Sequence, residues 1–263
     1  MNRIQKTFLE LSAKKKKALI PYITPEFPVA GITCPLISAL EKSGASMIEI
    51  GIPFSDPIAD GPTIQASSHT ALRNGATLKH IFSQIKAVRQ KTEIPLLFMG
   101  YFNTFFHYGE ERFLDEVVEC GIDGLIIPDL LPEESGNFRK LCQQRSVSNV
   151  FLIAPTSSDE RIRFVDSIST DFSYCVSVTG VTGARNSFGS GEVLEEFLQR
   201  VRRNSQKPFV VGFGVSKPEH VAALSRLADG VVVGSALIQH MAPHSNISDA
   251  VEAAGSFFLS LKN

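Results

Sequence analysis

The sequence predicts an α/β protein built as a single-domain (β/α)8 barrel with an extra helix at its N-terminus. The first observation behind this is a series of eight short apolar runs bounded by turn residues, at 18–24, 47–52, 94–99, 124–128, 149–153, 172–177, 208–211 and 230–233. Runs that are apolar on both faces mark strands covered on both sides. The second is that segments of helical periodicity separate the runs, so consecutive strands lie parallel with helical crossovers. The third is length: 263 residues accommodate eight such units without a second domain's worth of chain, which favours a closed barrel over an open doubly wound sheet.

Taken in order, Ile4, Phe8 and Leu11 recur at helical spacing and predict a short amphipathic helix over 4–11. The lysine run 14–17 is the only basic cluster, and it reads as a solvated connection rather than a nucleic-acid contact. After the first strand comes a helix over 35–43, closed by Gly44 as a C-terminal cap. Beyond the second strand the unit repeats, with helices over 78–91, 113–120 (stopped by Gly121), 132–144, 159–168, 193–203 and 216–227. Ser216 and Glu219 have the spacing of a capping box for the last of these. A final helix covers about 247–261. No low-complexity linker or compositional shift interrupts the chain, so residues 1–263 are expected to form one TIM-barrel domain.

Composition removes several function classes. Hydrophobic residues make up 43% and charged residues 20%, with a net charge of −1, which gives no global attraction to nucleic acid or anionic membrane. No apolar run approaches a membrane span and no secretory pattern opens the sequence, so a cytoplasmic protein is expected. Cys34, Cys120, Cys142 and Cys175 are far apart, with no Cys-x-x-Cys spacing, and read as reduced thiols rather than metal ligands or a disulfide framework.

Chemistry concentrates in residues 47–62, Met-Ile-Glu-Ile-Gly-Ile-Pro-Phe-Ser-Asp-Pro-Ile-Ala-Asp-Gly-Pro. Ile48, Ile50 and Ile52 share one face of the strand, while the other carries a lone carboxylate, Glu49, between Met47 and Gly51. Pro53 ends the strand, and Pro57, Gly61 and Pro62 stiffen the loop that carries Asp60. Two carboxylates in unlike environments suit acid–base chemistry near neutral pH. Taken singly, Glu49 also reads as half of a buried ion pair, and Asp60 as a turn residue before glycine.

In a barrel of this kind chemistry sits where strands end. The other ends offer Tyr22 and Thr24, then Gly100-Tyr101-Phe102-Asn103, Pro128-Asp129, and Tyr174 leading into the Gly/Ser/Thr-rich stretch 179–191. The last two supply Gly212-Phe213-Gly214 and Gly234-Ser235. Glycines let backbone N–H groups approach an anion and a helix N-terminus favours negative charge, so these adjacent ends suggest a phosphate pocket, with ligand-free turns as the alternative. The stretch 179–191 is a candidate closing loop. None of the strands ends in lysine, which argues against a Schiff-base aldolase.

Residues 48–61 resemble, position for position, the signature of the tryptophan synthase alpha chain family. Tyr174 to Gly183 is similar to that family's Tyr-x-x-Ser-x-x-Gly-Val-Thr-Gly element, Asp129 to the acid ending its fourth strand, and the last two glycine-bearing ends to its phosphate site. The resemblance covers essentially the whole chain. It implies a carbon–carbon lyase that cleaves indole-3-glycerol phosphate by a retro-aldol reaction to indole and glyceraldehyde 3-phosphate. It implies that Glu49 moves protons between the side-chain hydroxyl and indole C3, and that Asp60 accepts the indole N–H. It implies that Gly183, Gly214, Gly234 and Ser235 hold the phosphate, and that Tyr22, Tyr174 and Phe213 line the indole pocket, with Thr182 steadying Asp60. It further implies no metal or organic cofactor in this chain. The implied partner is a pyridoxal-phosphate beta chain in an α2β2 heterotetramer, faced by Phe54 and Asp56.

Two positions depart from the common pattern. Glu26-Phe27-Pro28 stands where many relatives have Gly-Asp-Pro, and Thr70 stands where an arginine is frequent. Both lie near the expected partner face and bear on loop order there. A different phosphate-binding barrel isomerase or aldolase, and a weakly catalytic or non-catalytic regulatory subunit, are the competing readings of the same residues.

Overall fold

The strands are short because each must cross only the waist of a barrel. In the computed structural model, which describes residues 1–176, 191–212 and 214–262, they are β1 (Ala18–Ile23), β2 (Ile48–Gly51), β3 (Leu96–Met99), β4 (Gly124–Ile126), β5 (Ser148–Val150), β6 (Leu152–Ile153), β7 (Ser173–Val176), β8 (Phe209–Gly212) and β9 (Gly230–Val233). All pairs are parallel, in the order β5-β4-β3-β2-β1-β9-β8-β7-β6. The two ends of that order, β5 and β6, are separated in sequence by Phe151 alone, so the chain itself closes the ring. The run 149–153 is thus one barrel strand split at Phe151, whose N–H donates to Ser169 Oγ at 3.3 Å and whose carbonyl accepts the Tyr174 N–H at 3.1 Å.

The helices are α1 (Arg3–Ala13), α2 (Thr33–Lys42), α3 (Pro62–Arg73), α4 (Leu78–Arg89), α5 (Phe102–Tyr108), α6 (Glu110–Cys120), α7 (Gly136–Gln144), α8 (Asp159–Ile168), α9 (Gly191–Asn204), α10 (Pro218–Ser225), α11 (Ser235–Met241) and α12 (Ile247–Ser260). Three of them, α3, α5 and α11, were not foreshadowed. Helix α3 buries Ser67 and Ser68 beside Ile64 and Ala71, so its inward face is half polar and its periodicity faint. Helices α5 and α11 span seven residues each, too short for a repeating pattern. The capping box expected at Ser216 does not form. Helix α10 begins at Pro218 with Lys217 at the N-cap and no side-chain cap bond, because proline's fixed φ sets the first helical position beyond Ser216's reach.

Helix α1 closes the end of the barrel where the strands begin. Its Asn2–Gln5 capping box defines the start, and Ile4 and Phe8 are buried. Asn2 and Gln5 donate to Asp171 at 2.7 and 2.9 Å, and Arg3 donates to Asp123 at 3.1 Å. Phe8 packs on Phe172 with ring centroids 5.5 Å apart. These contacts seal the bottom and leave the other end, where strands run out into loops, for chemistry.

Candidate active site

Register brings the first candidate residues together. Tyr22 on β1 lies level with Glu49 on β2, and Glu49 level with Leu97 on β3. Residues level with one another share a face of the sheet. Two glycines make room for the bulk this face carries. A Cβ on Gly51 would lie 1.9 Å from the Tyr22 hydroxyl, and one on Gly212 would lie 2.2 Å from the Tyr174 hydroxyl. Each tyrosine therefore leans over the end of a neighbouring strand at a position that admits no side chain.

Glu49 is 1% exposed, and neither of its carboxyl oxygens has a hydrogen-bond partner among the described residues. The ion-pair reading of this residue is thereby set aside for the described chain. Burial without compensation disfavours the charged form and pushes the carboxyl up to about 8. The phenols of Tyr22 and Tyr174 are pushed well above their ordinary value, chiefly by burial, then by Asp60 at Tyr22 and by Glu49 at Tyr174. Both carboxyls, Glu49 and Asp60, act on the two phenols in the same direction as burial.

Asp60 sits on the loop between β2 and α3, whose start is fixed by Pro62 at the first turn. Its Oδ2 accepts a hydrogen bond from the Tyr101 hydroxyl at 2.9 Å, and the same hydroxyl accepts the Ala59 N–H at 2.9 Å. Phe54 stacks on the Tyr101 ring with centroids 5.2 Å apart. Burial raises the Asp60 carboxyl and the Tyr101 bond opposes it. Asp60 is more than a turn residue here, since a side chain from the end of β3 holds it. Tyr101 was missed as a site residue. Its signal was position alone, a tyrosine one residue past a strand-end glycine.

The phosphate candidates lie one strand further round. Gly234 precedes α11, and a Cβ there would lie 3.4 Å from the Tyr22 Cβ. β9 pairs with β1 and β1 with β2, so Tyr22 stands between Gly234 and Glu49. Ser235 is the first residue of α11, and Gly214 has φ +31°, with no described side chain or backbone atom within 4 Å of where its Cβ would be. Thr182, Gly183 and Phe213 lie outside the described residues, as does nearly all of the stretch 179–191.

The outer rim is mixed. Asp56 is exposed, and Ile58 is 80% exposed, whereas Phe54 is half-buried on Tyr101. Asp129 accepts the Phe102 N–H at 2.8 Å and so anchors the start of α5. Glu26, the first departure, is buried and fully engaged. It accepts from Thr33 Oγ1, the Gly31 N–H and Gln84 Nε2, each at 2.7 Å. Thr70, the second, accepts from Arg73 at 3.3 Å. Among the described residues no three His, Cys, Asp or Glu side chains gather to hold a metal ion. No described helix is long and apolar enough to cross a membrane.

Comparison with known proteins finds likeness over nearly the whole chain. A family model described as the tryptophan synthase alpha chain matches residues 8–259. A tryptophan synthase alpha chain of Chlorobium chlorochromatii is 45% identical over 265 residues, covering 98% of this chain and 99% of its own. The tryptophan synthase subunit alpha of Legionella pneumophila superposes with a TM-score of 0.91 at 35% identity, covering 100% of this chain and 97% of its own. A chain from a structure addressing mutual activation of the tryptophan synthase α2β2 complex of Pyrococcus furiosus superposes with a TM-score of 0.84 at 36% identity, over 93% of this chain and 97% of its own.

Proposed function

The chain belongs to the tryptophan synthase alpha chain family, and from that premise we propose that it cleaves indole-3-glycerol phosphate to indole and glyceraldehyde 3-phosphate. The observation that carries the proposal is Glu49: a buried carboxyl without a hydrogen-bond partner among the described residues, raised to about 8, with a second carboxyl, Asp60, held by Tyr101.

At neutral pH Glu49 enters the reaction as the acid. It gives its proton to indole C3, and Asp60 accepts the indole N–H and stabilises the positive charge that develops on the ring. The Glu49 carboxylate then takes the proton of the hydroxyl on the carbon attached to C3. The carbon–carbon bond breaks, its electron pair returns to the ring, and an aldehyde leaves. Glu49 ends as it began, protonated. The ring stores the electrons, so the scheme needs no metal or organic cofactor. Gly183, Gly214, Gly234 and Ser235 hold the phosphate through backbone N–H groups and the start of α11. Tyr22, Tyr174 and Phe213 wall the indole, and Thr182 steadies Asp60.

The partner is a pyridoxal-phosphate beta chain in an α2β2 assembly, docked over Phe54 and Asp56 and receiving the indole. The Pyrococcus neighbour, which comes from such a complex with mutual activation, supports this reading. Four free cysteines fit a cytoplasmic setting. The test is indole release from indole-3-glycerol phosphate, with and without a beta chain. Weak release alone and strong release in complex is the expected result. No release in either state removes the lyase assignment and favours a regulatory subunit.

A further inference from the structure

Helix α3 braces the loop that leads into it. Gln65 and His69 stand four residues apart, on one face of the helix, and both side chains reach back to backbone carbonyls of the loop. Gln65 Nε2 donates to the Asp60 carbonyl at 2.9 Å and, more weakly, to the Pro57 carbonyl at 3.4 Å. Both partners only accept, so it is the NH2 end of the amide that faces the loop. His69 Nε2 lies 3.0 Å from the Ser55 carbonyl and, for the same reason, carries the proton there.

The two braces hold different things. Residues 57–60 form a turn closed by the Asp60 N–H, which donates to the Pro57 carbonyl at 3.0 Å. That bond fixes the peptide plane before Asp60, and the Gln65 bond fixes the plane after it. Peptide units are planar, so holding both planes restrains φ and ψ of Asp60 together and leaves only its side-chain torsions. Tyr101 settles those by donating to Oδ2 at 2.9 Å. His69 holds only the outer end of the loop, where it and Ser55 are exposed and water competes for the bond, whereas Gln65 and Asp60 are half-buried.

Gln65 is itself firmly mounted. Its own N–H donates to the Gly61 carbonyl at 2.9 Å. Further along α3, Ser67 Oγ lies 2.8 Å from Thr24 Oγ1 beyond the end of β1. At the end of the helix, Asn74 Nδ2 donates to the Glu26 and Pro28 carbonyls at 2.8 and 3.0 Å. The helix is thus tied to the β1 side of the barrel, and a side chain carried on a tied helix transmits that rigidity to the group it holds.

We propose that Gln65 is a positioning residue for the reaction: its side-chain amide sets the backbone of Asp60 so that the Asp60 carboxyl meets the indole N–H. This rests on the reaction assigned above, in which Asp60 is the group that touches the substrate.

Gln65→Met keeps the length of the side chain and removes the donor. In the complex with a beta chain, kcat for indole release is expected to fall about 3- to 10-fold, the size of one lost hydrogen bond, with little change in Tm. In an Asp60→Asn background the same substitution should alter kcat by less than about twofold, because no carboxylate is left to aim. His69→Phe removes the other brace and should leave kcat within about twofold. An unchanged kcat in Gln65→Met, an equal fold loss with and without Asp60→Asn, or an equal loss in His69→Phe overturns the inference. Gln65→Glu is the second variant. Its ionised carboxylate only accepts, and protonation restores one O–H donor. Its kcat relative to the parent should be low at neutral pH and rise as pH is lowered; a ratio independent of pH overturns the donor role, and so does failure of both variants to fold. Indole release by the unmutated protein with its beta chain is the control arm. Its failure removes the reaction, whereas its success alongside an indifferent Gln65→Met removes only the role of Gln65.

Discussion

The two ends of the barrel treat a buried carboxylate in opposite ways. At the closed end Asp123, with 6% of its side chain exposed, meets Arg89 at 3.0 Å, Arg3 at 3.1 Å and the Leu96 N–H at 2.9 Å. At the open end Glu49, 1% exposed, meets nothing among the described residues. Burial pushes both carboxyls up, but at Asp123 the Leu96 N–H and the two guanidinium groups push back. Asp171 repeats the closed-end pattern, held by Asn2, Gln5 and Ser148. One end satisfies its charges and holds the fold. The other leaves a buried carboxyl that no described residue compensates, which costs stability and marks a candidate functional group.

If the contrast is right, mutating each end should move a different observable. The largest effect is expected from Glu49→Gln, which keeps shape and removes the proton carrier: indole release should fall roughly 10²- to 10⁴-fold, with phosphate-ligand binding retained. Turnover within twofold of the parent would end the assignment of Glu49. At the closed end, Arg89→Ala should cost about 3–5 kcal/mol in urea unfolding, because Asp123 loses its buried partner, while kcat per folded molecule stays the same. An equal loss of kcat would erase the division of labour between the two ends.

Stability should also show the difference. The folded protein keeps the Glu49 proton up to about pH 8, whereas the unfolded chain releases it near its ordinary value of 4.5. The wild type therefore loses stability as pH rises from about 4.5 to about 8, and loses no more above that. Glu49→Gln lacks this term, so the variant should gain on the wild type across that window and keep the gain above it. Parallel Tm profiles would contradict the unpaired state of Glu49. The smallest effect is expected from Tyr101→Phe. Asp60 would lose one hydrogen bond while the Phe54 stack remains, giving about a 10-fold fall in kcat and little change in Tm. A large fall in Tm with unchanged kcat would make Tyr101 a structural residue only.

The strand frame was legible in the sequence because burial on both faces writes continuous apolar runs. The helix Asp159–Ile168 and the strand Gly230–Val233 have the bounds that their patterns indicate. Helix α3 was not legible, because its inward face includes Ser67 and Ser68. That same polar face meets the end of β1, with Ser67 Oγ 2.8 Å from Thr24 Oγ1. Glu49 and Asp60 could be picked out by their unusual setting in an apolar strand and a proline-bounded loop. Tyr101 could not, because its link to Asp60 joins residues 41 positions apart. Nor could the engagement of Glu26 with Gln84, which crosses from the loop after β1 to α4. Such links exist only once the barrel has closed.

The central claim is that Glu49 stands uncharged at neutral pH because no described residue compensates its charge. The direct measurement is a ¹³C NMR titration of glutamate carboxyl groups in the labelled protein, with Glu49→Gln identifying the resonance. The account predicts one glutamate titrating near 8, absent from the variant. A Glu49 resonance titrating near its ordinary value of 4.5 would contradict it.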